Sequence, residues 1–434
     1  MNTGAKLYKK NKKKILGGNM LLSKNPEMIL PDYWPAYYKK SNGINIWDLS
    51  NNKYLDMMCY VGQNTLGYNN SHVDKSVTDA IKSGNMTTLN SYEEIKLSEL
   101  LIELHPWAQM AKFCRSGGEA NALAIRIARA AAKKENIAIC GYHGWHDWYL
   151  SVNLKNKNNL NDHLLPGLVP LGVPKKLANT AFPFKYGDLK QLKELIKKKE
   201  IGIIKMEVGR SELPNIEFLK EVRNLATKNK IVLIFDECTS GFRRNLGGLH
   251  MTTGVYPDIS MFGKALGNGY AITAVIGRGS IMSKANNSFI SSTFWSERIG
   301  FVAALATINF MKKNKTWKLL ISSGKYLNEK WKKLSQKYEL PIKISGIESI
   351  TQFNFNLKDD HYYKNFITQE MLKKKILATN LIFLNINHNR KIIDKYIKNL
   401  EPIFEKIKHI QTFGKKKYFL KGKKSKLTFS RLTD

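Results

Sequence analysis

Between about residue 110 and residue 280 the chain alternates short apolar runs with amphipathic stretches, and that rhythm leaves few folds open. Strands that hand over to helices build a parallel sheet covered by helices on its faces. The apolar runs are Ala111–Cys114, Ile137–Cys140, Ile201–Val208, Ile231–Phe235, Ile259–Phe262 and Ile272–Ile276. Between them Glu119–Ala132, Leu189–Lys199 and Glu217–Lys228 carry apolar residues three and four positions apart, the spacing of one helix face. The expected fold class is α/β, with a doubly wound, mostly parallel sheet. Ligands of such sheets sit at the carboxyl ends of the strands, so the residues just after each run are the ones to read for chemistry.

The flanks read differently. Ile44–Leu49 and Lys53–Met57 enclose the turn-rich Ser50-Asn51-Asn52, a hairpin signal, and from about Lys312 the pattern changes to helices such as Thr316–Gln336 with a few short strands. We expect residues 1–60 to contribute to a small domain, residues 61–311 to form the large one, and residues 312–434 to complete the small α/β domain from the other chain end. With 434 residues, 43% of them hydrophobic, there is apolar material for both cores. No run of about 18 apolar residues suits a membrane span. The apolar Ile15–Leu16 is cut off by Gly17–Gly18 before a signal-peptide core can form. Cys59, Cys114, Cys140 and Cys238 make no C-x-x-C pair and read as reduced thiols. The expectation is a cytoplasmic protein without a membrane partner.

A formal charge of +35 raises the question of nucleic acid. Of the 70 basic residues, 11 are Arg and 59 are Lys. A dedicated nucleic-acid surface favours Arg, whose forked head grips phosphates and bases through two bonds at once. Lysines spread over helix faces fit composition bias and solvated surfaces instead, so no specific nucleic-acid partner is expected. A basic binding protein on a retired enzyme scaffold is the alternative from outside the enzymes.

Three segments at strand ends carry chemistry. Arg115-Ser116-Gly117-Gly118-Glu119 leaves one strand and opens a helix, so its backbone N–H groups form either an anion cradle or a plain turn. The apolar strand Ile231–Phe235 delivers Asp236 and Glu237 to its end, where a carboxylate can bind a metal, cap a helix or protonate a cofactor nitrogen. Lys264 ends a third strand between Gly263 and a glycine-rich loop; it is a surface lysine or, if sheltered from water, a nucleophilic amine of lowered pKa. Together a phosphate cradle, a carboxylate and a lysine at the same edge of one sheet are what a pyridoxal phosphate enzyme needs.

At these residues the chain resembles the class III aminotransferases, and within them the glutamate-1-semialdehyde 2,1-aminomutases and their close relatives. The motifs are Ser116-Gly-Gly-Glu-Ala120, Gly141-Tyr-His-Gly144, Gly172-Val-Pro-Lys175, Phe235-Asp-Glu237 with Gly241-Phe-Arg243, and Gly263-Lys-Ala-Leu-Gly267. The likeness runs from about Gly17 to Phe310 and returns in Phe429–Thr433. It implies a fold-type-I pyridoxal-phosphate-dependent transferase acting as a homodimer. It makes Lys264 the Schiff-base lysine, Asp236 the partner of the pyridine nitrogen, and Ser116, Gly117 and Gly118 the phosphate cradle. By the same resemblance Tyr142 and Cys238 cover the two faces of the ring, and Thr293 reaches the phosphate of the neighbouring subunit. No metal is expected.

The implied activity is an aminotransferase passing an amino group between a small-molecule amino donor and an oxo acceptor. The alternative is the mutase reaction, an intramolecular shift giving 5-aminolevulinate. Other residues have two readings each. His143 touches the cofactor or makes a structural hydrogen bond, and Arg243 and Arg244 grip a substrate carboxylate or fix the loop after Asp236. Glu207 is expected in some hydrogen-bonded role. Trp34, Trp145, Trp148 and Trp295 wall the substrate pocket or pack at a subunit interface. The chain also departs from the family pattern. Gly118 replaces a hydroxyl residue of the cradle, and Leu21 and Lys24 stand where the aminomutases carry Ser and Arg.

Overall fold

The computed structural model describes residues 2–163, 166–209, 212–414 and 420–426. The motif Phe429–Thr433 lies outside the described residues. The chain divides into two compact units, one built from its two ends, up to Asn70 and from Lys318 onward, and one running Ser71–Trp317.

In the unit made from the chain ends, β1 (Tyr38–Asn42), β2 (Asn45–Asp48) and β3 (Lys53–Asp56) form an antiparallel meander. The turn between β2 and β3 is closed by the Asp48 carboxylate, which accepts from the backbone N–H groups of Ser50 and Asn52, both at 2.9 Å. Such side-chain to backbone bonds are why Asp and Asn favour turns.

The Ser71–Trp317 unit holds a seven-stranded sheet of β4 (Met110–Cys114), β5 (Ile137–Cys140), β6 (Ala181–Pro183), β7 (Ile203–Glu207), β8 (Val232–Glu237), β9 (Ile259–Phe262) and β10 (Thr273–Gly277). Their spatial order is β4-β10-β9-β8-β7-β5-β6. β5 through β9 pair in parallel, while β10 runs antiparallel to both β9 and β4. The reason is local. Gly263–Ile272 is shorter than the dozen or so residues that a parallel crossover needs, so the chain turns back on itself. The expected strand Ile231–Phe235 extends through Glu237, which places Asp236 inside the sheet's last rungs. Every residue of β8 is buried, as expected for a parallel strand covered on both faces. One face packs its aliphatic residues, among them Ile139, Ile203, Ile234 and Met261, with Ala120, Leu123 and Ala124 of the helix Gly117–Ala132.

The remaining strands lie in the other unit: β11 (Ile342–Ile347), β12 (Ile350–Phe355), β13 (Ile376–Leu377) and β14 (Leu381–Phe383). β13 adds in parallel to β3, which ties the C-terminal part of the chain to the N-terminal meander. Among the described residues no helix is long and apolar enough to cross a membrane.

Candidate active site

β4, β5, β7, β8 and β9 all point their carboxyl ends to one edge of the seven-stranded sheet, because β10 reverses direction between β4 and β9. At that edge Ser116 caps the helix Gly117–Ala132: its Oγ accepts from the N–H of Glu119 at 3.3 Å, and the Glu119 carboxylate accepts from the N–H of Ser116 at 2.8 Å. This capping box fixes the loop but leaves the first N–H groups of the helix directed at the edge, where the positive end of the helix dipole also lies. The sulfur of Cys238 ties the three segments together. A Cβ placed on Gly117 would stand 3.7 Å from that sulfur, and one on Gly263 would stand 3.4 Å from it. The Ser116–Gly118 turn, the end of β8 and the end of β9 therefore meet around one atom.

Gly118 is required by its neighbours. A Cβ there would meet the His146 ring at 2.7 Å and the Trp145 indole nitrogen at 3.3 Å. The space that a side chain at position 118 would take is filled by the ring of a residue far along the chain, His146. The segment Gly141–Gly144 is held just as closely. Gly141 has φ +111°, and a Cβ on it would lie 2.6 Å from the Glu207 carboxylate, which accepts from the Tyr142 N–H at 3.1 Å.

Asp236 is 4% exposed and surrounded by donors. Nδ1 of His143 donates to Oδ2 at 2.8 Å, and the Cys238 N–H donates to Oδ1 at 3.1 Å. Nζ of Lys205 stands 3.9 Å from Oδ2. Burial alone pushes this carboxyl up, but the Lys205 ammonium and the His143 bond outweigh it and hold it well below the usual carboxylate range. His143, itself fully buried, is pushed down chiefly by desolvation, so its ring is neutral and acts as a hydrogen-bond donor rather than a charge. Its Nε2 is buried and has no partner among the described residues. Glu237, the next residue, takes no part at this edge. Its carboxylate is buried against the N–H groups of Leu249 and His250 and the His250 ring, whose Nε2 accepts from the Trp107 indole at 2.8 Å. This chain anchors the loop after β8.

Lys264 follows β9 at φ +43°, a left-handed conformation uncommon for a side-chain-bearing residue. Its Nζ donates to the Thr239 hydroxyl at 2.6 Å. Arg243 is fully buried, and its Nε donates to the Thr239 carbonyl at 2.6 Å, so of its two readings the loop-fixing one fits. Thr293 stands exposed at the start of the turn Thr293–Ser296. Among the described residues its turn is joined to the cradle through Arg115, whose guanidinium donates to the carbonyls of Phe294 at 2.6 Å and Trp295 at 2.9 Å, and through the Trp295 indole, which donates to Glu119 at 3.1 Å. Trp148 is buried, stacked on His143, while Trp145 is 69% exposed. Beside Tyr142 and Glu207 opens a cavity of about 340 Å³, also lined by His163, Lys185 and Tyr186.

Three residues of this edge, Lys205, Thr239 and His146, belong to none of the readings that the sequence supports. Lys205 was visible as the one lysine within the apolar run Ile201–Val208, and that contrast was the signal. His146 gave none, since only the folded loop sets it over Gly118.

The family model described as Aminotransferase class-III matches residues 31–390. A 3-aminobutyryl-CoA aminotransferase of Cloacimonas acidaminovorans is 31% identical over 367 residues, covering 82% of this chain and 84% of that protein. A glutamate-1-semialdehyde 2,1-aminomutase of Methanocaldococcus jannaschii is 30% identical over 431 residues, covering 93% and 98%. Among solved structures, the FumI protein of Sphingopyxis sp. MTA144 in its PLP internal aldimine form shares the fold with a TM-score of 0.85 at 22% identity, covering 95% of this chain and 98% of that one.

Proposed function

This chain belongs to the class-III aminotransferase family, and we propose that it binds pyridoxal phosphate at the carboxyl edge of its seven-stranded sheet and passes an amino group between a small amino donor and a small oxo acceptor. The observation that carries this reading is the meeting of three segments around the Cys238 sulfur: a helix end with its first N–H groups, a buried ionised carboxylate, and an amine on a strand end. These are the partners that a phosphate, a pyridine nitrogen and an aldehyde require, and their donors and acceptors match the group.

In this reading Ser116, Gly117 and Gly118 hold the phosphate, Asp236 holds the ring nitrogen, and Tyr142 and Cys238 cover the ring faces. Lys264 is the amine that bonds the aldehyde carbon. Bound pyridoxal phosphate supplies a carbon that takes up an amino group and a ring that draws electrons from the neighbouring substrate carbon. The protein contributes position and protons. Asp236, ionised and nearly dry, would keep a proton on the ring nitrogen, and Lys264 Nζ would serve as the base that lifts and returns a proton at the substrate carbon. The Thr239 hydroxyl, on which that amine rests, orients it.

The site is expected to be completed in a homodimer by Thr293 of a second copy. The segment carrying Thr293 also exposes Phe294, near the exposed Phe289, surfaces that suit burial against another chain. Unpaired thiols at all four cysteines fit a cytoplasmic location. The second reading, intramolecular amino transfer on glutamate 1-semialdehyde, is favoured by the near full-length match to an aminomutase. It is opposed by Leu21 and Lys24, which replace the Ser and Arg of that group.

The test is direct. The purified protein should be yellow, and borohydride reduction followed by peptide mapping should mark Lys264; a Lys264→Ala variant should carry no covalent label and turn nothing over. A label on another lysine would sink the assignment.

A further inference from the structure

β7 reads Ile203-Ile-Lys-Met-Glu207, and its middle residue is fully buried. Side chains alternate along a strand, so Lys205 shares its face with Ile203 and Glu207, and its partners in register are Ile139 and Ile234. Ile139, Ile203, Ile234 and Met261 belong to the apolar core beneath the helix Gly117–Ala132. A lysine there is costly, because its ammonium gives up the hydration that a solvent-exposed lysine keeps. The structure offers it the Met261 thioether, to which Nζ donates at 3.0 Å, and the Asp236 carboxylate at 3.9 Å. A thioether is a weak acceptor, so the charge is answered by Asp236.

We propose that Lys205 is a positioning residue, the buried counter-charge that keeps the Asp236 carboxylate ionised and aimed at the cofactor edge of the sheet. The inference rests on the reading of Asp236 as the partner of the cofactor nitrogen. Among the described residues the titratable groups around Asp236 include His143 and Tyr149 from the segment after β5, Lys205 and Glu207 on β7, and Cys238 beyond β8, with Lys264 after β9 acting on that thiol. Burial keeps His143 neutral and pushes the Tyr149 hydroxyl and the Cys238 thiol up, so neither of these two contributes a negative charge. Glu207, on the same face, is bound to the Tyr142 N–H. Burial pulls the Lys205 amine down, and the Asp236 carboxylate, 3.9 Å from Nζ, is the foremost group opposing that pull, so ammonium and carboxylate sustain each other's charge on the side facing the core. Removing it would leave a desolvated carboxyl whose proton comes off only at higher pH.

The experiment is a double-mutant cycle on the full-length protein stripped of cofactor, with Lys205→Met, Asp236→Asn and the two combined. Each single variant should lower the urea midpoint, since it leaves a buried charge unanswered, and the double variant should recover most of the loss. If Lys205→Met does not fold while the double variant does, the coupling is established by that alone. Losses that simply add, including a double variant that fails to fold, would overturn the proposal. A second arm follows the dissociation constant of added pyridoxal phosphate with pH. The wild type should show no carboxyl titration from pH 5.5 to pH 8, whereas Lys205→Met should bind at least about tenfold more weakly at the acid end, and identical profiles would overturn the proposal. A wild type that does not bind pyridoxal phosphate would defeat the reading of the site while leaving the cofactor-free coupling measurable.

Discussion

The ring of His146 occupies the space that any side chain at position 118 would enter: a Cβ on Gly118 would stand 2.7 Å from its Cε1 and 2.8 Å from its Nδ1. The ring lies tilted against Trp145, with centroids 4.6 Å apart, and its Nδ1 is buried without a hydrogen-bond partner among the described residues. Gly118→Ala should therefore displace the ring and tilt the helix end. Overpacking of this kind costs about 1–3 kcal/mol, and pyridoxal phosphate should bind about tenfold more weakly. Adding His146→Ala should restore affinity, because the space is vacated. Equilibrium dialysis of the cofactor measures both variants, and a double variant as weak as Gly118→Ala would show that the conflict lies elsewhere.

Acid should destabilise the protein well before its carboxylates titrate. Burial, the largest cause in each case, holds His105, His163 and His388 down to about 4, against about 6.5 for an unfolded chain. At pH 7 all three are neutral in both states. Below 6.5 the unfolded chain takes up protons that the folded chain refuses, so stability falls by up to about 1.4 kcal/mol per pH unit for each histidine until about pH 4. Asp56 works in the opposite direction, since burial raises its carboxyl, but it is one group against these three, to which His143 and His146 add, both also pushed down by burial. Urea midpoints measured at pH 7.5, 6 and 5 should fall in that order; a constant midpoint would contradict the burial of these rings.

Dimerisation can be tested by complementation. A Lys264→Ala chain should be inactive, and a Thr293→Ala chain should be impaired if Thr293 serves the neighbouring subunit. Mixing and refolding the two should raise activity above the sum of the separate preparations, because in the hybrid one of the two sites combines an intact Lys264 with an intact Thr293. Sedimentation equilibrium showing fully active monomers would rule the arrangement out.

The chain should be a poor glutamate-1-semialdehyde mutase. A mutase has to keep its intermediate from escaping, which demands a firm hold on the substrate carboxylate as well as a closed entrance. Lys24 is a point charge and cannot make the forked carboxylate contact of Arg, and Leu21 is 40% exposed with no hydroxyl to offer. The aminated protein supplied with glutamate 1-semialdehyde should release little 5-aminolevulinate without an external amino donor. Rapid stoichiometric conversion would promote the mutase reading over transamination.

The amino-acid sequence by itself determined the strands and the residues that follow them. Hydrophobic period is a local property: Ile231–Phe235 has to be a buried strand whatever surrounds it, and so Asp236 comes at its end, just as Lys264 follows Ile259–Phe262. The cap at Ser116 was equally local, since the hydroxyl and Glu119 are three residues apart. Only the tertiary structure decided what those residues face. Strand order β9-β8-β7 sets Lys205 beside Asp236, a pairing across 31 residues of sequence (236 − 205) that no local pattern encodes. The same holds for His146 over Gly118, and for the Cys238 sulfur between Gly117 and Gly263. Charge and close contact act through space, over a few ångströms, and the sheet chooses which distant parts of the chain come within that reach.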